Sequence, residues 1–372
     1  MGGLSFALAD KELVAFTTLA PAAAVAFIIM AAALLVARLG DCERRRLTTL
    51  LIVPLCIATV GFVLSATHLG TPSNALYVLA RVGASGLSNE VLATTLFLGV
   101  AGSFWLSSFY RRRPPLAVRR IWLGLGIALA VAYLGATASV YVMETVPSWS
   151  TPFAPAMTVL PGVATGCLLG CACLALASTE AGGRENDGNP SSESPVGPPT
   201  AEKAVGSAGA SGTIRISNGA VGPDGMGAHG SMAALNGMTA PGITTAPGGT
   251  EVSTIGRRGH LMPIALVGVA LAAGIAFVIM LALQYGELVQ LRNAYGPLAE
   301  RIGGYVPSAI GASLLYAAAV TLAAATLLRH RGCEHTQRDR LRLARRLAGA
   351  VALAYIATLL VRIQFYAMYM TA

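Results

Sequence analysis

Residues 68–90 read HLGTPSNALYVLARVGASGLSNE, a polar stretch set between two long apolar runs at 48–67 and 91–110. Its start, His68-Leu69-Gly70-Thr71-Pro72, closes the first run: glycine leaves the helical conformation readily, and proline cannot continue a turn. Thr71 reads as an N-cap with Pro72 at the first helical position, which predicts a short helix over 74–82. Gly83 is expected to end it, and Ser88 or Asn89 to cap the following helix, with Glu90 in the first turn. His68 then stands at the exit of one long helix and Glu90 at the entrance of the next. Both belong to the same side, with Arg81 on the hairpin between them.

The runs on either side determine what that hairpin joins. The chain has 372 residues, of which 55% are hydrophobic and only 12% charged, where soluble proteins carry about 25%. Mean hydropathy is +0.65. Eight apolar runs, at 13–37, 48–67, 91–110, 121–143, 157–178, 261–283, 305–328 and 347–369, are long enough to cross a hydrocarbon core, which takes about 20 helical residues. In lipid each must be a helix, because every backbone polar group has to be satisfied internally. The fold class expected is therefore an all-α integral membrane protein, an eight-transmembrane-helix bundle. Small residues such as Gly124 and Gly126, or Gly162, Gly166 and Gly170, allow close helix packing. Asp10, Lys11 and Glu12 precede a first run long enough to span, so a cleaved targeting segment is not expected.

The formal charge of +9 does not point to nucleic acid, because the basic residues sit in short loops beside the spans. Loops 38–47, 111–120 and 329–346 hold sixteen arginines, against three (Arg81, Arg292 and Arg301) in the opposite loops. By the positive-inside rule both termini and the 68–90 hairpin face the extracytoplasmic side of the cell membrane. Residues 179–260 are rich in Gly, Ser, Pro, Ala and Thr and poor in large apolar side chains, so they are expected to form a disordered cytoplasmic linker. The chain divides accordingly into 1–178 with five spans, 179–260, and 261–372 with three.

Four cysteines, Cys56, Cys167, Cys171 and Cys173, lie inside apolar runs and read as small buried hydrophobes, while Cys42 and Cys333 lie in basic loops. No metal-ligand spacing is present. Residues 144–156 combine Glu144, Trp149 and three prolines, which suits an interfacial anchor. Residues 284–304, with Glu287, Arg292 and Tyr295, read as a short amphipathic helix at the interface. Arg362 lies inside the last run, either facing a polar partner or snorkelling to the nearby surface.

Bis-histidine haem needs paired histidines on facing helices. His68, His229, His260, His330 and His335 supply no such pair, so neither haem nor an iron–sulfur cluster is expected in this chain. On the outer side His68, Arg81 and Glu90 remain. A histidine at a helix end and an acid in a first turn both have plain structural readings. Together they also supply what oxidation of a quinol requires. His68 titrates near neutrality and can accept a ring hydroxyl proton, Glu90 can pass a proton to water, and Arg81 can orient Glu90 or stabilise an anionic semiquinone.

The 68–90 stretch also resembles the signature of the DmsC family, the membrane-anchor subunits of dimethyl sulfoxide reductases. That signature runs HLG-S/T-P followed by a segment like N-R-V-G-A-S-x-L-S-N-E. The flanks are similar too: FTTLAPAAAVAFI at 16–28, ETVPSWSTPFAP at 144–155, and Arg362 with Phe365 and Tyr366. The linker looks like an insertion of this sequence. Thr358 and Tyr369 depart from the family's glutamate and histidine, so the last helix is expected to take little part in proton handling. The resemblance implies menaquinol as bound substrate, with His68 and Glu90 as the catalytic pair and Arg81 beside them in the binding site. It implies as partners an iron–sulfur subunit, which takes the electrons directly, and a molybdopterin catalytic subunit. Rivals are an anchor of a polysulfide, tetrathionate or nitrite reductase, a proton-coupled secondary transporter with His68 and Glu90 as its path, and a purely structural anchor.

Overall fold

The computed structural model describes residues 3–37, 39–67, 72–110, 114–178, 252–295, 303–330 and 337–368. Of the stretch expected to be a linker, 179–251 lies outside them, and so does His68. Among the described residues there is no strand. A short α1 (Gly3–Ala9) leads into α2 (Lys11–Val36), and the second span is α3 (Asp41–Leu50) followed by α4 (Ile52–Thr67). The break at Leu51 has a covalent cause. Pro54 has no N–H to offer the Leu50 carbonyl, and its ring crowds that carbonyl, so one helix ends and another starts with the proline in its first turn.

A 3₁₀ helix (Pro72–Arg81) then leads to α5 (Gly86–Ser107), α6 (Leu116–Val140) and α7 (Ala154–Ser178). The remaining helices are α8 (Val252–Tyr295), α9 (Val306–Arg329) and α10 (Gln337–Ala367). Among the described residues eight helices are long and apolar enough to cross a membrane, as the eight runs predict, and the chain is a multi-pass membrane protein.

Two boundaries differ from expectation. α8 begins at Val252, so the end of the presumed linker, 252–260, is helical backbone. An apolar run that nucleates a helix extends it cheaply upstream, one hydrogen bond for each residue fixed. At the other end α8 continues through Gln284 to Tyr295 without a break, so no separate interfacial helix starts at 284. The lone Gly286 is too weak a breaker to stop a stretch as helix-prone as Glu287–Leu291.

α2 and α7 form the centre of the bundle, buried along most of their length. Their contact is built on missing side chains. A Cβ on Gly166 would lie 2.5 Å from the Ala22 carbonyl oxygen and 2.6 Å from Val25 Cβ, and one on Gly162 would lie 2.8 Å from Pro21 Cβ. Around this axis Phe27 of α2, Phe97 of α5 and Tyr133 of α6 pack ring on ring, with Phe97 and Tyr133 stacked at 6.3 Å. Cys167, Cys171 and Cys173 are buried as expected, but Cys56 is exposed on the outer face of α4.

Candidate functional site

The polar chemistry of the bundle gathers at one end, where α1, α2, α5, α6, α7, α10 and the 144–153 connection meet. Gly83 takes φ +86°, a left-handed conformation that ends the 3₁₀ helix cheaply only in glycine. Its N–H donates to the side-chain Oδ1 of Asn89 at 2.7 Å, so Asn89 ties the hairpin rather than capping the helix. Ser85 is the N-cap residue instead, and α5 therefore starts one turn earlier than expected. That shift moves Glu90 out of the first turn, and its side chain lies on the inward face of α5.

Glu90 is 1% exposed. Its Oε1 accepts a hydrogen bond of 2.7 Å from the Thr137 hydroxyl on α6. Tyr133, Thr137 and Tyr141 follow at intervals of four, so one face of α6 and its C-terminal extension carries three hydroxyls towards the same interior. The Tyr133 hydroxyl lies beside Thr137 without a well-aligned hydrogen bond. Tyr141 and Tyr366 share a hydrogen bond of 2.5 Å between their hydroxyls. Burial holds the Tyr141 phenol well above its ordinary range, so it is present as a neutral hydroxyl.

Arg81 is not part of this group. It is exposed, and the positive charge felt by Glu90 is that of Arg362 on α10. The separation has a geometric cause: the inward-facing side chain of Glu90 carries its carboxylate away from the hairpin surface where Arg81 lies. Arg362 does not snorkel. It is 1% exposed, and its Nη2 donates to the Thr158 carbonyl of α7. Its Nε and Nη1 are buried without a hydrogen-bond partner.

The 144–153 connection closes the end of the bundle. Trp149 is only 7% exposed, so it packs within the protein and does not face the membrane interface. Its ring stacks on Phe365 at 5.2 Å, and its Nε1 donates to the Phe365 carbonyl at 3.2 Å. Tyr141, Val146, Trp149, Phe365 and Tyr366 form one cluster with Ala7 and Val14. The structure thus bonds Glu90 to Thr137 of α6, puts it in the field of Arg362 of α10, leaves Arg81 outside, and does not describe His68.

Residues 5–184 match the family of the DMSO reductase anchor subunit (DmsC). Over those residues, just under half of its length, the chain is similar to the DmsC family. The matched part includes the hairpin, Glu90, Thr137, Tyr141 and Trp149; Arg362 and Tyr366 lie beyond it. Among relatives, the YnfH subunit of an anaerobic dimethyl sulfoxide reductase of Escherichia coli (strain K12) is 33% identical over 44% of this chain and 57% of its own length. The C subunit of the anaerobic dimethyl sulfoxide reductase of the same organism is 34% identical over 46% of this chain and 60% of its own. The corresponding C subunit of Haemophilus influenzae is 29% identical over 38% of this chain and 50% of its own. The chain therefore spans between half and three fifths of the length of these DmsC-type relatives.

The sequence pointed to Glu90 and singled out Arg362 without its partners, gave Tyr366 no role, and missed Thr137 and Tyr141. A signal for them was available. Polar residues at 133, 137 and 141, and at 358, 362 and 366, repeat every four positions in otherwise apolar helices.

Proposed function

We propose that this chain is the membrane anchor and the menaquinol-oxidising subunit of a DMSO reductase-type molybdopterin complex. The observation that carries the reading is a carboxylate, Glu90, held inside the bundle by Thr137 close to the end of its span. A carboxylate is an expensive residue to place there unless it handles protons or charge. Menaquinol enters from the bilayer with its ring at this end. Oxidation breaks two ring O–H bonds. One proton passes to Glu90 and the other to His68, assigned from its residue type and its place in the hairpin. The two electrons leave to an iron–sulfur centre of a partner subunit, which relays them to the molybdopterin subunit where the terminal acceptor is reduced.

The exposed apolar edge of the hairpin, with Tyr77 74% and Val82 44% exposed, suits docking of that iron–sulfur partner. The distribution of arginine favours an extracytoplasmic position for it.

The test is binding of a fluorescent 4-hydroxyquinoline N-oxide, a quinol analogue, to the purified full chain, read by quenching. Saturable one-site binding that weakens at least about tenfold in His68→Ala and in Glu90→Gln is expected, the loss of about one charge-assisted hydrogen bond. Wild-type affinity in both variants removes the site from this hairpin, and no binding to the folded wild-type chain removes the quinol reading.

A further inference from the structure

Arg362 and its surroundings carry an inference that rests on the quinol reading and makes it more specific. A guanidinium has five N–H donors in a rigid fork. Here one nitrogen is used on Thr158 while Nε and Nη1 are buried and unpartnered, in a membrane span where an unsatisfied charge is costly. Donors left in that state are suited to an oxygen that arrives with a ligand. Pro161 lies in the turn after Thr158, and Thr358 lies one turn before Arg362 on the same face of α10. Both residues line an apolar groove of about 240 Å³ between α7, α8, α9 and α10. On its outer side the groove is bounded by α8 residues that face away from the bundle, such as Ile275, 53% exposed. An oxygen site and a lipid-side apolar groove are therefore adjacent.

We propose that Arg362 binds a ring oxygen of the quinol and that this groove takes the near part of its isoprenoid tail. The ring is then held between α5 and α10. The α10 arginine stabilises negative charge on the ring oxygen while Glu90 accepts a proton from the ring. The hairpin arginine, Arg81, has no part in it. The tail lies along α8 and α9, the part of the chain beyond the matched residues 5–184.

The full chain in lipid nanodiscs would be titrated with the heptyl-tailed quinoline N-oxide and with its tail-less parent. Arg362→Met should weaken both about tenfold to a hundredfold, as expected for one hydrogen bond to a charged group. Ala317→Phe, which fills the groove from an exposed position, should weaken the tailed probe severalfold and leave the tail-less one unchanged. If Arg362→Met misfolds, Arg362→Lys decides, since it keeps the charge and loses the fork: an affinity within twofold of wild type overturns the assignment. Unchanged binding in Arg362→Met overturns the role of Arg362 while the quinol reading stands. Ala317→Phe affecting both probes or neither overturns the tail placement, and failure of the wild-type chain to bind either probe overturns both proposals.

Discussion

Thr137 donates its hydroxyl hydrogen to Glu90 Oε1 at 2.7 Å, across the interface between α5 and α6, and both side chains are fully buried. Removing the donor leaves a buried carboxylate oxygen unsatisfied, whereas keeping a hydroxyl at the same place does not. Thr137→Val should therefore lower stability by about 1–3 kcal/mol, while Thr137→Ser recovers most of it. Thermal unfolding of the two variants in the same detergent checks this. Equal melting points would mean that Glu90 finds another donor.

Trp149 ties the connection after α6 to the last helix by ring contacts, among them a stack on Phe365, and by a hydrogen bond to the Phe365 carbonyl. Trp149→Phe keeps a ring and loses the N–H, at a cost of about 1 kcal/mol. Trp149→Ala loses both and empties a buried site, at about 3–5 kcal/mol. Limited proteolysis at the exposed Ser150, together with melting, should rank the variants in that order. Unchanged cleavage in Trp149→Ala would show that the end of the bundle is closed by other contacts.

How much could be read beforehand depended on the kind of signal. The eight helices were legible because a membrane span is a long-range compositional signal, and lipid permits only one backbone solution for it. Close packing was legible in Gly162 and Gly166, but not that α2 is the helix that approaches, and Gly124, read in the same way, has nothing within 4 Å. Glu90 was legible as a residue out of place. Its partner was not. Arg81 is near Glu90 in sequence and Arg362 is far, and a local reading favours the near one. The choice is made by the α5 start, where Asn89 caps nothing and Ser85 takes the N-cap place, a boundary shift of one turn. An earlier start takes Glu90 out of the first turn, and which neighbour its buried side chain meets is then set by tertiary packing that a local pattern does not state. Trp149 was misplaced for a similar reason: a proline-rich loop says nothing about what it folds back upon.

Gly166 offers a direct test of the central packing. An added Cβ would sit 2.5 Å from the Ala22 carbonyl oxygen, which belongs to backbone and cannot turn away. Gly166→Ala should therefore separate α2 from α7 and cost about 1–3 kcal/mol, as overpacking does. Gly124→Ala, where nothing lies within 4 Å, should be neutral or slightly stabilising through its helix propensity. Melting temperatures of the pair check the contrast. A Gly166→Ala variant as stable as wild type would mean that the helices are free to move apart.

The orientation proposed from arginine placement can be tested on two positions at opposite ends of the bundle. Cys42 is exposed in the first turn of α3, beside Arg44, Arg45 and Arg46, and Ser150 is exposed in the connection that carries Trp149. If the arginine-rich ends face the cytoplasm, a membrane-impermeant maleimide applied to intact cells should label Ser150→Cys and leave Cys42 untouched until the membrane is opened. Cys167, Cys171 and Cys173 are buried and should stay unlabelled on either side. The positions of the partners follow from the same result, because the hairpin and Glu90 belong to the Trp149 end. Labelling of Cys42 alone in intact cells would invert the chain and place the iron–sulfur partner in the cytoplasm. The assignment of Glu90 and Arg362 to the quinol would be untouched, since it depends on the packing of α5, α6 and α10 and not on the side of the membrane they face.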